Sequence, residues 1–145
     1  VGAPAVARVE GASQRRLAVR LLSSALICGL GGMAAVRIGA NILATWVYNE
    51  PELAGMFILS APLTLLFAVQ HAVNALLSGL GEQRQALMPA LAGSLLTLAL
   101  LHRWTALPGA RIAGAIRAMQ LGQSATLLST LGLLALALRQ SKTPD

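Results

Sequence analysis

Residues Leu53–Leu80 read LAGMFILSAPLTLLFAVQHAVNALLSGL, without a single charged side chain. A helix needs about 20 mostly apolar residues to cross a hydrocarbon layer of about 30 Å. Only helices and closed barrels satisfy all backbone polar groups in lipid. This run is too long, and alternates too poorly, for a barrel strand. It therefore predicts a membrane-spanning helix. Three further stretches flank it: Leu17–Tyr48, Ala86–Leu101 and Ile112–Leu138. The third in chain order, 86–101, is close to the lower length limit. The four together predict an all-α, polytopic membrane protein.

Composition agrees. The chain is 56% hydrophobic and only 11% charged, against about 25% charged residues in an ordinary soluble domain. Its mean hydropathy is +0.69. A chain of 145 residues is too short to hide four such helices in a water-soluble shell. The net charge of +6 is no sign of nucleic-acid binding, because the basic residues cluster in loops at helix ends. Trp46, Tyr48 and Trp104 are the main interfacial anchors. Because the sequence starts at Val1 with no signal-peptide pattern, the expectation is a piece of a longer protein.

Residues 1–16 read as a polar, basic cytoplasmic segment and 139–145 as a cytoplasmic tail. Asn49-Glu50-Pro51-Glu52 forms an acidic turn. Gly79-Leu80-Gly81-Glu82-Gln83-Arg84 breaks the second helix, and Pro62 kinks it. Residues 102–111 read as a loop turning at Pro108-Gly109. With four spans, one side holds Arg8, Arg15, Arg16, Arg20, Arg84, Arg139 and Lys142. The other holds Arg103 and Arg111. The positive-inside bias then places both termini in the cytoplasm.

Polar residues within the spans are the candidate site. Arg37, Asn41 and Thr45 form one stripe of the first helix. Gly31, Ala35 and Gly39 form a second, and residues two apart differ by about 200° around a helix. The small stripe is expected to pack while the polar one faces a cavity, where Arg37 meets an anionic substrate. The equal alternative is Arg37 snorkelling to the outer interface. Gln70, Asn74 and Ser78, with His71 beside them, bond sugar hydroxyls or glue helices together. Gly114, Ala118 and Gly122, continuing to Thr126 and Thr130, read as a close-packing face. Arg117, Gln120 and Ser124 form a polar line beside it.

Enzymatic chemistry is not expected. The five acidic residues all lie outside the helix cores, and Ser23 and Ser24 lack a base. Cys28, His71 and His102 are too few and too scattered for zinc. No cofactor is implied.

The order of motifs resembles a known family. A segment from Pro4 to Glu10 and Gln14-Arg15-Arg16 precedes a helix ending in Trp46-Val47-Tyr48. The second helix ends in Asn74-Ala75-Leu76-Leu77-Ser78-Gly79-Leu80-Gly81-Glu82-Gln83-Arg84. Pro89 opens the third, and Pro108-Gly109 with Ile112-Ala113-Gly114-Ala115 opens the fourth. This is similar to the C-terminal region of polysaccharide and lipid-linked sugar flippases. These belong to the multidrug/oligosaccharidyl-lipid/polysaccharide exporter superfamily, and the stage V sporulation protein B-like and O-antigen flippase branch is nearest. The resemblance implies the ninth to twelfth helices of a two-lobe exporter, partnered by membrane lipid, a lipid-linked sugar and the remaining helices. It also implies alternating access, and a cationic cavity in which Arg37 and Arg117 meet a pyrophosphate. Arg117 stands where relatives carry small residues, and Ala110-Arg111 interrupts the usual step into the last helix. A non-transporting packing module is the other expectation.

Overall fold

The computed structural model describes residues 12–106 and 111–140. Four helices fill them: α1 Ala12–Ile42, α2 Leu53–Gly79, α3 Gln83–Thr105 and α4 Arg111–Gln140. A five-residue π-helical segment, Leu43–Val47, prolongs α1. Each helix is long and apolar enough to cross a membrane, over Gln14–Val47, Leu53–Gly79, Arg84–Thr105 and Ile112–Arg139. Among the described residues the fold is thus all-helical, that of a multi-pass membrane protein. Pro4, Arg8, Glu10, Pro108, Gly109, Ala110 and Lys142 lie outside the described residues.

Two helix boundaries depart from the sequence reading. The first helix starts at Ala12 rather than Leu17. The third runs Gln83–Thr105 rather than 86–101, so the expected loop over 102–111 shrinks. Hydropathy falls at His102 and Arg103, yet cations in a last turn favour the carbonyl end of the helix dipole. Thr105 also returns its hydroxyl to the Leu101 carbonyl, at 2.6 Å.

The turns follow from residue type. Asn49 takes a left-handed φ of 53°, which Asn tolerates better than most residues. Pro51 follows at the second position of a turn closed by Leu53 N–H donating to Glu50 O at 3.0 Å. At the other end of α2, Gly81 has φ 82°. Its N–H donates to Ser78 O at 3.2 Å, and Glu82 N–H donates to Leu77 O at 3.0 Å. These are the two bonds of a Schellman cap, which needs a left-handed residue at this position. Gly81→Ala is expected to cost about 1–2 kcal/mol, read as a lowered unfolding midpoint in detergent.

The helices do not pack in chain order. α1 packs on α2, α2 on α4, and α4 on α3, while α2 and α3 barely touch. A cluster of Ala18, Val73, Leu76, Leu77 and Leu134 closes one end of the bundle, with Leu80, Ala86 and Leu138 against it. Arg15 and Arg139 flank that end together.

Small residues set the approaches. On α1 the packed positions are Ala18, Gly29, Ala40 and Ala44. A Cβ on Gly29 would stand 3.0 Å from Leu65 Cα. Gly31, Ala35 and Gly39, expected to pack, are not the packing line: Gly31 and Gly39 have open space where a Cβ would be. Among four glycines in this region, the packed register is the one that also carries Ala40 and Ala44. On α4 the expected face does pack, with Gly114, Ala118, Gly122, Thr126 and Thr130 all buried.

The α3–α4 crossing is reciprocal. Gly93 and Thr97 on α3 share the spacing of Gly122 and Thr126 on α4. A Cβ on Gly93 would collide with Thr126 Oγ1, and one on Gly122 would collide with Thr97 Oγ1. Each added Cβ would also lie 3.0 Å from the other glycine's carbonyl oxygen. Both backbones therefore approach to within reach of Cα–H···O contacts. Each threonine returns its proton to its own helix, Thr97 to Gly93 O at 2.8 Å and Thr126 to Gly122 O at 2.9 Å.

Candidate functional site

Because α4 lies between α2 and α3, those two helices form the walls of a groove with α4 as its floor. Phe67, Gln70, His71 and Asn74 line the α2 wall. Ala90, Gly93, Ser94 and Thr97 line the α3 wall, and Gly122, Gln123 and Thr126 the floor. The groove encloses about 280 Å³, near the lower end for small-molecule sites. None of these residues is Asp, Glu, Lys or Arg, so the groove is polar without fixed charge, and His71 is its one titratable group.

Gln70 is the best-held polar side chain, 8% exposed. Its Nε2 donates to Asn74 Oδ1 at 3.0 Å and to Thr130 Oγ1 at 3.2 Å. Thr130 in turn donates to Thr126 O at 2.9 Å. Gln70 thus ties α2 to α4 while positioning the Asn74 amide at the groove. The hydroxyls of Ser94, Thr97 and Thr126 all donate to backbone carbonyls four residues back. Their protons are committed, so what they can offer a ligand is acceptor capacity. Gln123 and the Asn74 amide nitrogen have no bond to protein among the described residues and supply donors.

The remaining expected site residues lie elsewhere. Arg37 and Asn41 are exposed on α1 and do not line the groove. Arg117 is exposed on α4 and does not line it. Gln120 donates its amide to the Leu59 carbonyl of α2. That carbonyl lies within one turn of Pro62, whose ring removes a helix bond from the carbonyl four residues before it. The carbonyl that Pro62 frees is that of Ile58, so the Gln120 bond to Leu59 is a tie between α4 and α2 beside it.

The sequence reading found the α2 wall and missed the rest. Ser94, Thr97 and Gln123 are isolated polar residues in apolar runs. The available signal was the repeated Gly-to-Thr spacing at Gly93/Thr97 and Gly122/Thr126, which matches the two helices to each other and so brings their polar residues together.

Among the described residues, no three His, Cys, Asp or Glu side chains converge as metal ligands would. Comparison with protein-family models, with curated proteins and with solved structures gives no match to this chain.

Proposed function

We propose that the chain is part of a flippase that carries lipid-linked sugars across a bacterial cytoplasmic membrane, with both termini on the cytoplasmic side. The observation that carries this reading is the uncharged, hydrogen-bonding groove between α2 and α3, in helices long enough to span a bilayer. An unmet polar group away from water is costly. A groove that pairs acceptors from Ser94 and Thr97 with donors from Gln123 and Asn74 suits a ligand that is itself both donor and acceptor, as sugar hydroxyls are. The motif order of the helix ends supports the same reading. Alternating access would work through the α2–α4 contact, where Gln70 and Thr130 can exchange partners without stranding a charge.

One observation favours the packing-module reading instead. The Gln70–Thr130 bond joins α2 to α4 as helix-to-helix glue would, and the hydroxyls of Ser94, Thr97 and Thr126 are spent on their own helices. Translocation separates the two. The full-length protein is reconstituted in vesicles containing a fluorescent polyprenyl-pyrophosphate sugar, and leaflet exchange is followed with a membrane-impermeant quencher. Flippase activity is expected as exchange well above that of protein-free vesicles. Exchange at the protein-free rate would leave only the packing role.

A further inference from the structure

The exposed arginines fall at two levels along the bundle. At the end where Arg15 and Arg139 meet lie also Arg16 and Arg20 on α1 and Arg84 on α3. Towards the other end lie Arg37 on α1, His102 and Arg103 on α3, and Arg117 on α4.

Helix contacts put the second group at nearly one height. Gly114 abuts Trp104, with its Cβ position 3.2 Å from Trp104 Cβ. Arg117 is thus within about one turn of Arg103. Gln120, one turn from Arg117, bonds Leu59. On the α1 side, Gly32 faces Thr64, and continuing antiparallel from there brings Arg37 level with Leu59. Arg37 and Arg117 therefore differ in height by about one turn.

At 1.5 Å per residue, Arg20 to Arg37 spans about 25 Å, Arg84 to Arg103 about 28 Å, and Arg117 to Arg139 about 33 Å. Those separations match a hydrocarbon layer of about 30 Å. All six of these arginines are exposed. The carboxylates of the described residues, Glu50, Glu52 and Glu82, lie in turns rather than in spans. A lipid-facing guanidinium needs an anion; Glu82 stands two residues before Arg84, and the described spans themselves carry no carboxylate.

We propose that Arg37, Arg103 and Arg117 form a belt that binds phospholipid headgroup phosphates of one leaflet, opposite a matching belt of Arg20, Arg84 and Arg139 on the other. The belt sets the depth of the protein. Hydrocarbon covers α1 only from about Arg20 to Arg37, and the rest of α1 with the π-helical segment, from Ile38 to Val47, rises about 15 Å beyond it. The α1–α2 hairpin then projects past the headgroup phosphates, its tip held by the Tyr48–Phe57 ring contact at 5.8 Å. Trp46, 87% exposed, lies in that projection. Arginine suits the role because its planar fork pairs with phosphate oxygens in a bidentate manner and stays charged. This holds whether or not the chain transports anything.

Depth is measured in the full-length protein, in vesicles of phosphatidylcholine and phosphatidylglycerol. Cys28, the single cysteine, is changed to alanine, and spin labels are placed through Ile27→Cys, Ile38→Cys and Val47→Cys, all at exposed positions. The label at 27 is expected to be accessible to oxygen and shielded from a water-soluble nickel chelate. The label at 38 should lie at the boundary, and the label at 47 should be open to the chelate. A label at 47 as shielded as that at 27 would place Arg37 inside the hydrocarbon and overturn the belt. A second arm counts phospholipid retained after delipidation by native mass spectrometry. The pair Arg37→Gln and Arg117→Gln should retain at least about twofold less phosphatidylglycerol, and the matching lysine pair should recover part of it. Unchanged retention would refute the belt. Displacement of that phospholipid by a polyprenyl pyrophosphate would assign the arginines to a carried molecule instead.

Discussion

Gly93→Ala is expected to destabilise the α3–α4 pair by about 1–3 kcal/mol, the usual cost of overpacking. The single added methyl would strike Thr126 Oγ1 and stand 3.0 Å from the Gly122 carbonyl oxygen. The first obstacle is a side chain and the second is backbone, so the two are separable. Thr126→Ala in the Gly93→Ala background should recover part of the loss and leave the backbone clash. Gly122→Ala should behave in the same way with Thr97→Ala as its partial rescue. Gly132→Ala is the control: its Cβ meets open space, and the change should be neutral or stabilising by up to about 1 kcal/mol. Thermal unfolding in detergent, followed by circular dichroism, reads all five. Equal midpoints for Gly93→Ala and Gly132→Ala would mean that α3 and α4 do not cross at these residues.

Ser94→Trp is expected to abolish translocation while leaving the helices intact. Ser94 is exposed on the α3 wall of the groove. An indole there would enter the groove between α2 and α3 and cover the Asn74 and Gln123 amides. Tryptophan is large and apolar enough to be stable against a lipid-facing opening, so folding should survive. Leu128→Trp, at an α4 position that is 71% exposed, carries the same indole away from the groove and should leave exchange unchanged. The vesicle assay compares the two. Full exchange by Ser94→Trp, with helicity unchanged, would remove the groove from the transport path.

The spans were legible because they rest on one strong constraint: backbone groups in lipid must be satisfied within the segment, and run length reports that directly. The close-packing face of α4 was legible for a related reason, since Gly114, Ala118, Gly122, Thr126 and Thr130 offer a single line of small residues. α1 offered several. Gly29, Gly31, Gly32 and Gly39 fit more than one register, and in a helix apolar all round hydropathy gives no phase. Helix order was not legible at all. Short connections suggest that consecutive helices are neighbours, yet α2 and α3 diverge because α4 matches Gly93 and Thr97 more closely than α2 does. The groove exists because of that order, so its α3 wall and floor were hidden with it. Gln120 was chosen for its polarity and donates to the Leu59 carbonyl, a contact that is visible only once α2 and α4 are side by side.

The placement of α4 between α2 and α3 also has a consequence for how the protein is made. α1 and α2 form a hairpin of consecutive helices and can pair as soon as both leave the ribosome. α3 cannot, because nearly all of its contacts are with a helix that follows it in the chain. At about 5–20 residues per second, synthesis of α4 after α3 takes roughly 2–7 s. Throughout that interval the notch at Gly93 has nothing packed in it, and only the bond of Thr97 to its own helix is in place. Membrane insertion of α3 must therefore rest on its own hydropathy, and its sorting into the bundle is a late event that only the last helix can complete.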